Sequence, residues 1–206
     1  MSDEPIEIER VKGEGVLAHL DDLARLRIEV FREFPYLYDG DRAAERDYLR
    51  HYAAAEGAVV VVAKRAGEVV GVSTGLPLAA ADEAFRRPFE EAGERVGDWF
   101  YFGESVLRRD CRGRGAGHRF FDEREAHAAT LGFRRTTFCA VVREAGHPLR
   151  PPDHRPHDAF WARRGYRRVP TLRAHLGWRQ VDSPGGEVEN ELVFWVRGGA
   201  PQVRQM

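Results

Sequence analysis

Between residues 112 and 118 the chain reads Arg-Gly-Arg-Gly-Ala-Gly-His, a composition suited to cradling an anion. Glycine reaches backbone conformations that bring N–H groups up to a phosphate with no Cβ in the way. The aromatic and β-branched run Trp99 to Leu107 reads as a strand leading into these glycines. A helical pattern from about Ala116 to Leu131 follows, so the glycines sit at a helix N-terminus. There, amides without helical acceptors and the helix dipole favour negative charge. Arg112 and Arg114 can add charge-assisted contacts. A Walker loop would need Gly-Lys-Ser/Thr, whereas Gly117 precedes His118-Arg119. A dinucleotide fingerprint would need G-x-G-x-x-G, whereas the glycines stand at 113, 115 and 117. The pattern R-x-x-G-x-G is met by Arg112, Gly115 and Gly117.

Other residues could do chemistry. Glu104 lies in the strand that feeds the glycine turn, after Trp99-Phe100-Tyr101-Phe102-Gly103. A carboxylate in such surroundings is costly unless used or paired, so a general base and a structural ion pair both stay open. Cys139 falls in a later strand, as an inert buried thiol or an acyl carrier. His147, His154 and His157 border a loop, residues 143–156, that holds Gly146 and four prolines. A loop of that length suits binding. The histidine spacing does not make a metal set, and no metal is expected.

The positioning elements follow from periodicity. Ile6 to Val11 alternates as a strand, and Leu20 to Phe34 recurs at helical spacing until Pro35. Tyr36 to Gly40 turns, and Asp41 caps a second helix running to about Ala55. Strands at about 58–64 and 68–76 flank an Ala66-Gly67 hairpin. The charged stretch 80–92 reads as helical with an interruption at Pro88. Gly132 ends the helix after the glycine turn, and Arg135 to Val142 is another strand. A short helix from His157 closes at Gly165, and strands at about 172–180 and 191–197 enclose a turn at Ser183 to Gly186. Fraying is expected after Gly198.

The 206 residues, 43% hydrophobic, are read as one mixed α/β domain, with its core at about 6–197. Thirty-two basic and 33 acidic groups give a net charge of −1, which offers no overall field for nucleic acid or an anionic membrane. The acidic start Met1 to Pro5 lacks an apolar core, and no apolar run spans a membrane, so a cytoplasmic protein is expected.

The form Arg-Gly-Arg-Gly-Ala-Gly after a hydrophobic strand resembles the acetyl-CoA motif of the GNAT acyltransferase superfamily. Phe160-Trp161-Ala162-Arg163-Arg164-Gly165-Tyr166 is similar to that family's later aromatic-pair and Gly-aromatic segment. The resemblance implies an α/β (α+β) fold with a mixed central sheet of about seven strands flanked by helices. It implies acetyl-CoA as co-substrate, with pantetheine between two splayed parallel strands ending at Leu107 and Val142. Val106, Leu107 and Arg109 would contact pantetheine, and Arg112, Gly113, Arg114, Gly115, Ala116, Gly117 and His118 would hold the pyrophosphate. The implied reaction is attack by a primary amine of a small molecule or peptide, for which Glu104 is the candidate base from its place in the strand. The alternative is an acyl-CoA-binding module without turnover, because Trp161 stands where the family often has a tyrosine acid. The acceptor would meet Arg32, Tyr36, Tyr38 and Arg150, which could seat an acidic or aromatic molecule. The inserted stretch 78–97 is open to use as a lid or a homodimer contact.

Overall fold

The computed structural model of the chain describes residues 4–199. The start at Met1 to Asp3 and most of the tail expected to fray fall outside the described residues. The strands are β1 (Glu7–Val11), β2 (Val59–Arg65), β3 (Glu68–Pro77), β4 (Trp99–Leu107), β5 (Arg135–Val141), β6 (Arg167–Gln180) and β7 (Ser183–Arg197). They form a sheet of order β1-β2-β3-β4-β5-β7-β6. Every neighbouring pair is antiparallel except β4 and β5, which run parallel. The helices are α1 (Leu20–Phe31), α2 (Arg42–Ala54), α3 (Glu83–Glu91), α4 (Ala116–Thr130) and α5 (Asp158–Arg163).

The valine run of β2 shows how two cores are built from one strand. Successive side chains point to opposite faces, and both faces are covered. Val60 and Val62 join Leu23, Leu26 and Leu49 of α1 and α2. Val59 and Val61 join Phe120, Phe121 and Ala128 of α4. The sheet is therefore buried on both sides, which explains an apolar run without alternation.

Local chemistry sets several element ends. The Asp41 carboxylate accepts from the amides of Ala43 and Ala44, both at 3.0 Å, and so caps α2. Gly132 ends α4 at φ +86°. Three expectations change. α3 continues through Pro88, because Asp82 caps its start and fully buried Phe89 anchors it against Trp99 and Phe194 at ring distances of 5.2 and 5.1 Å. β6 starts at Arg167 and absorbs Pro170 in a register shift between Val169 and Arg173. The last turn is Val181-Asp182, not 183–186, since Gln180 pairs with Ser183 and a two-residue loop suits a hairpin.

Candidate functional site

β4 and β5 pair over three residues only, Trp99↔Arg135, Phe100↔Thr136 and Tyr101↔Thr137. Beyond Tyr101 each strand stays with its outer neighbour: Val106 with Val72 of β3, and Val141 with Leu192 of β7. The two inner edges separate into a wedge whose backbone groups leave the ladder. The glycine turn lies at the end of β4.

A bulge sets what faces the wedge. Ser73 pairs with Ser105 and Gly75 with Phe102, so β4 carries one residue more than β3 between these points. Trp99 and Tyr101 face α1 and α2, whereas Phe100 and Phe102 face α4. After the bulge the parity reverses, and Val106 returns to the α1/α2 face while Leu107 faces α4. Glu104 shares the face of Tyr101 for this reason. Gly103 permits it, since a Cβ there would collide with the Tyr52 hydroxyl and Thr74 Oγ1.

Glu104 is 6% exposed and sits in a polar network. Its Oε2 lies 2.7 Å from the Arg27 guanidinium and accepts from the Tyr48 hydroxyl at 3.2 Å. Arg27 also pairs with buried Glu45, and stacks over the Tyr48 ring at 4.2 Å. The Tyr48 and Tyr52 hydroxyls are 3.0 Å apart. Oε1 of Glu104 is buried and has no protein partner, an expensive state unless a ligand donates to it. Burial, then the neighbouring Glu104 charge, raise the Tyr48 and Tyr52 pKa values above the ordinary phenol range, so both hydroxyls stay protonated.

On the opposite wall, Cys139 Sγ lies 3.3 Å from the Tyr101 hydroxyl. Burial pushes the Cys139 thiol up to about 12, which leaves it a poor nucleophile at neutral pH. The Tyr36 hydroxyl feels Cys139, Arg27, Glu104 and Arg143, and burial raises its pKa as well. Arg143, the first residue of the proline-rich loop, donates to the carbonyls of Pro35 at 2.6 Å and Tyr36 at 3.2 Å, and to Gln180 Oε1 at 3.3 Å.

At the glycine turn, Gly113 and Gly115 adopt φ of +78° and +84°, where a side chain would be strained. A Cβ at either would meet nothing within 4 Å, so the space above the turn is open. Gly115 is the N-cap of α4, and the first amides of α4 have no acceptor a helical turn behind them. These features fit a pyrophosphate. Below the turn, Arg124 of α4 is 1% exposed and donates to the carbonyls of Thr74 at 3.2 Å and Glu104 at 3.1 Å. The helix that would carry the anion is thereby tied to the bulge that aims Glu104.

No protein-family model and no curated protein matches the chain by sequence. Solved structures match its shape. A ribosomal-protein-alanine N-acetyltransferase from Brucella melitensis shares 17% identity at TM-score 0.60, over 94% of this chain and 99% of that one. An acetyltransferase of the GNAT family from Streptococcus pneumoniae shares 12% identity at TM-score 0.55, over 94% and 100%. The yncA protein from Salmonella typhimurium, solved with its cofactor acetyl-CoA, shares 13% identity at TM-score 0.59, over 95% and 97%. The chain has the GNAT fold.

Within that GNAT fold the expected residues fall in different places. Val106 is fully buried by its side chain, and Leu107 offers its carbonyl to Arg112 Nε at 2.9 Å. Arg112 turns back to pair with Glu33 at 2.9 Å. Arg109 is exposed in a short 3-10 turn. Arg114 and Ala116 line a hollow of about 420 Å³ with Glu4, Pro5, Ile6 and Arg119. The His118 ring packs on Phe160 at 4.8 Å, and Phe160 approaches the position of a Cβ on Gly117 at 3.8 Å. Tyr36 joins the wedge network, and Tyr38 stands beside Glu45. Arg32 is 59% exposed and paired with Asp39, whereas Arg150 is half-buried in the late loop. Trp161 packs between Phe138 and Trp195, on the α4 face. The stretch 78–97 packs Phe89 into the core and stacks Phe85 on Tyr101 at 4.8 Å.

Sequence reasoning missed Arg27, Tyr48 and Arg143, whose helical or loop positions carry no motif. A groove of about 1070 Å³ between α3 and β6 contains none of these groups. No cluster of three metal-ligating side chains occurs among the described residues. No described helix is long and apolar enough to cross a membrane.

Proposed function

We propose that the chain is an acetyl-CoA-dependent N-acyltransferase acting on the primary amine of a small molecule or peptide in the cytoplasm. The observation that carries this is the wedge between β4 and β5, which ends at the glycine turn, together with the buried Glu104 Oε1 on β4 that has no protein partner. The yncA likeness, with its acetyl-CoA, supports the same cofactor here.

The glycine-turn amides and the N-terminus of α4 hold the pyrophosphate. Backbone groups of β4 at Val106 and Leu107 line the arm. Acetyl-CoA would supply the acyl group as a thioester, whose C–S bond breaks as the amine's C–N bond forms, with the second proton of the nitrogen leaving to the departing thiolate, which is released as the free thiol of coenzyme A. Glu104 Oε1 takes the proton that the ammonium must lose before its nitrogen can attack. Arg27 and Tyr48 fix Oε2, so the free oxygen is presented in one orientation. Backbone N–H groups of β4 beyond Tyr101 are donors for the oxyanion. Burial keeps Cys139 a thiol, which disfavours it as an acyl carrier.

The test pairs binding with turnover. Acetyl-CoA at about a hundredfold above its Kd stabilises a protein by roughly 2.7 kcal/mol, so the melting temperature rises. The rise disappears in an Arg112→Ala/Gly115→Ala variant. No rise in the unaltered protein sinks the cofactor claim. Binding without thiol release across a broad amine panel marks a non-catalytic acyl-CoA module, the reading that Trp161 favours by supplying no acid.

A further inference from the structure

Around the wedge, the cations facing the acceptor side differ in how their charge is met. Arg27 has two carboxylates, Glu45 and Glu104. Arg32 has Asp39 and Arg112 has Glu33. Arg143 has no carboxylate within ion-pair distance among the described residues; its donors go to two backbone carbonyls and an amide oxygen. Those dipoles orient the guanidinium, and the Asp182 carboxylate acts on it only from beyond ion-pair distance. Burial accordingly pulls its pKa below the usual arginine value.

The Arg27, Glu45 and Glu104 cluster carries one net negative charge, and Arg143 carries one positive charge. Tyr36 connects the two: its carbonyl accepts from Arg143, and its hydroxyl lies within electrostatic range of Glu104. The surrounding wall is aromatic, with Phe31 at 4.5 Å and Trp178 at 6.1 Å from the Tyr36 ring. An unpartnered buried acceptor atom stands at one end of this arrangement, and a guanidinium with no carboxylate at ion-pair distance among the described residues stands at the other.

We propose that the acceptor is a free amino acid or similar small amino-carboxylate, whose amine meets Glu104 Oε1 and whose carboxylate meets Arg143. This rests on the acyltransferase reading and adds the substrate class. A zwitterion matches the two charges with the same net neutrality. A polyamine would place a second ammonium against Arg143 and is disfavoured by like-charge repulsion. With Nε and Nη2 held by protein acceptors, Nη1 is the guanidinium nitrogen that would donate a charge-assisted hydrogen bond to the carboxylate.

The experiment measures thiol release from acetyl-CoA with a panel of L-α-amino acids, each beside its methyl ester and its decarboxylated amine. Free amino acids are expected to exceed both counterparts in kcat/KM by about 10- to 100-fold. In Arg143→Gln that ratio collapses towards one, and in Arg143→Lys it is partly kept. The ratio within one variant does not depend on the fraction folded, so a destabilised variant still decides the matter. Amino-acid binding, read as a melting shift with coenzyme A present, is expected to weaken in parallel. Esters and amines used as well as free amino acids, or a ratio unchanged in Arg143→Gln, overturn the substrate assignment alone. Absent acetyl-CoA binding overturns the acyltransferase reading beneath it.

Discussion

Arg27 on α1 and Glu104 on β4 form an ion pair at 2.7 Å in which the side chains are 11% and 3% exposed. The pair occupies one carboxylate oxygen and leaves the other unpartnered. Buried pairs contribute little net stability on average, because desolvation offsets attraction. What this one supplies is orientation. Arg27 is also held by Glu45 and by the Tyr48 ring, so the geometry is determined from α1 and α2 together.

Glu104→Gln keeps the shape and the acceptor for Tyr48 but removes the base. The kcat for thiol release is expected to fall by about 10²- to 10⁴-fold, with little change in the KM for acetyl-CoA. Arg27 keeps Glu45, so the loss of stability in urea is expected at about 1–3 kcal/mol. Steady-state kinetics beside denaturation separate the two effects, and an unchanged kcat removes Glu104 from the chemistry.

Gly103→Ala pushes a methyl group against Tyr52 and Thr74 at the bulge. Overpacking of this kind costs about 1–3 kcal/mol. Tyr52→Phe removes one of the two obstructing atoms, so the double variant is expected to lose less than the sum of the singles. A double-mutant cycle in urea measures that coupling. Strict additivity would show that the two residues do not meet.

Gly115→Ala forces a side chain into φ +84° at the α4 N-cap. The strain costs about 1–2 kcal/mol, and the turn is expected to relax away from its open form. Calorimetry with coenzyme A should show weaker binding, while Gly146→Ala in the late loop, where a Cβ meets nothing, should bind as the unaltered protein does.

His127 gives a pH dependence. It is 3% exposed, its Nε2 hydrogen bonds to the Gly57 carbonyl at 2.9 Å, and its Nδ1 has no partner. Burial lowers its pKa below 6.5, so the unfolded chain binds a proton more readily than the folded one. Stability is full above about pH 6.5 and is lost as the pH falls below it. His154 and His157 shift in the same direction, also through burial. Melting temperatures between pH 7 and 5 should therefore decline, and His127→Gln should decline less steeply.

The order of elements was legible because each is specified locally. Asp41 caps its own helix, Gly132 closes its own, and the glycines of 113–117 are spaced for a turn whatever surrounds them. That local chemistry also carried the expectation of a pyrophosphate cradle. The hairpin tip at Val181-Asp182 was misplaced because Ser183 to Gly186 has turn composition, whereas Ser183 pairs with Gln180 and residues 184–186 fall in a register shift before Glu187 meets Arg179.

Glu104 shows where the sequence stops. Its residue type and strand follow from the chain, but strict alternation would put it with Phe102, facing α4. Only β3 can reveal the extra residue at the bulge, since a strand's register is a property of the pair. The same holds for its partners. Arg27 is one arginine among many in sequence, and only the packing of α1 across β4 makes it the one that meets Glu104. Arg143 is likewise one arginine among many in sequence, and only folding brings its donors to the Pro35 and Tyr36 carbonyls and the Gln180 amide oxygen. The sequence determined the glycine turn and its place in the chain, because both depend on neighbours along the backbone. The tertiary structure decided which face Glu104 lies on and which charges surround it, because both depend on contacts between distant segments.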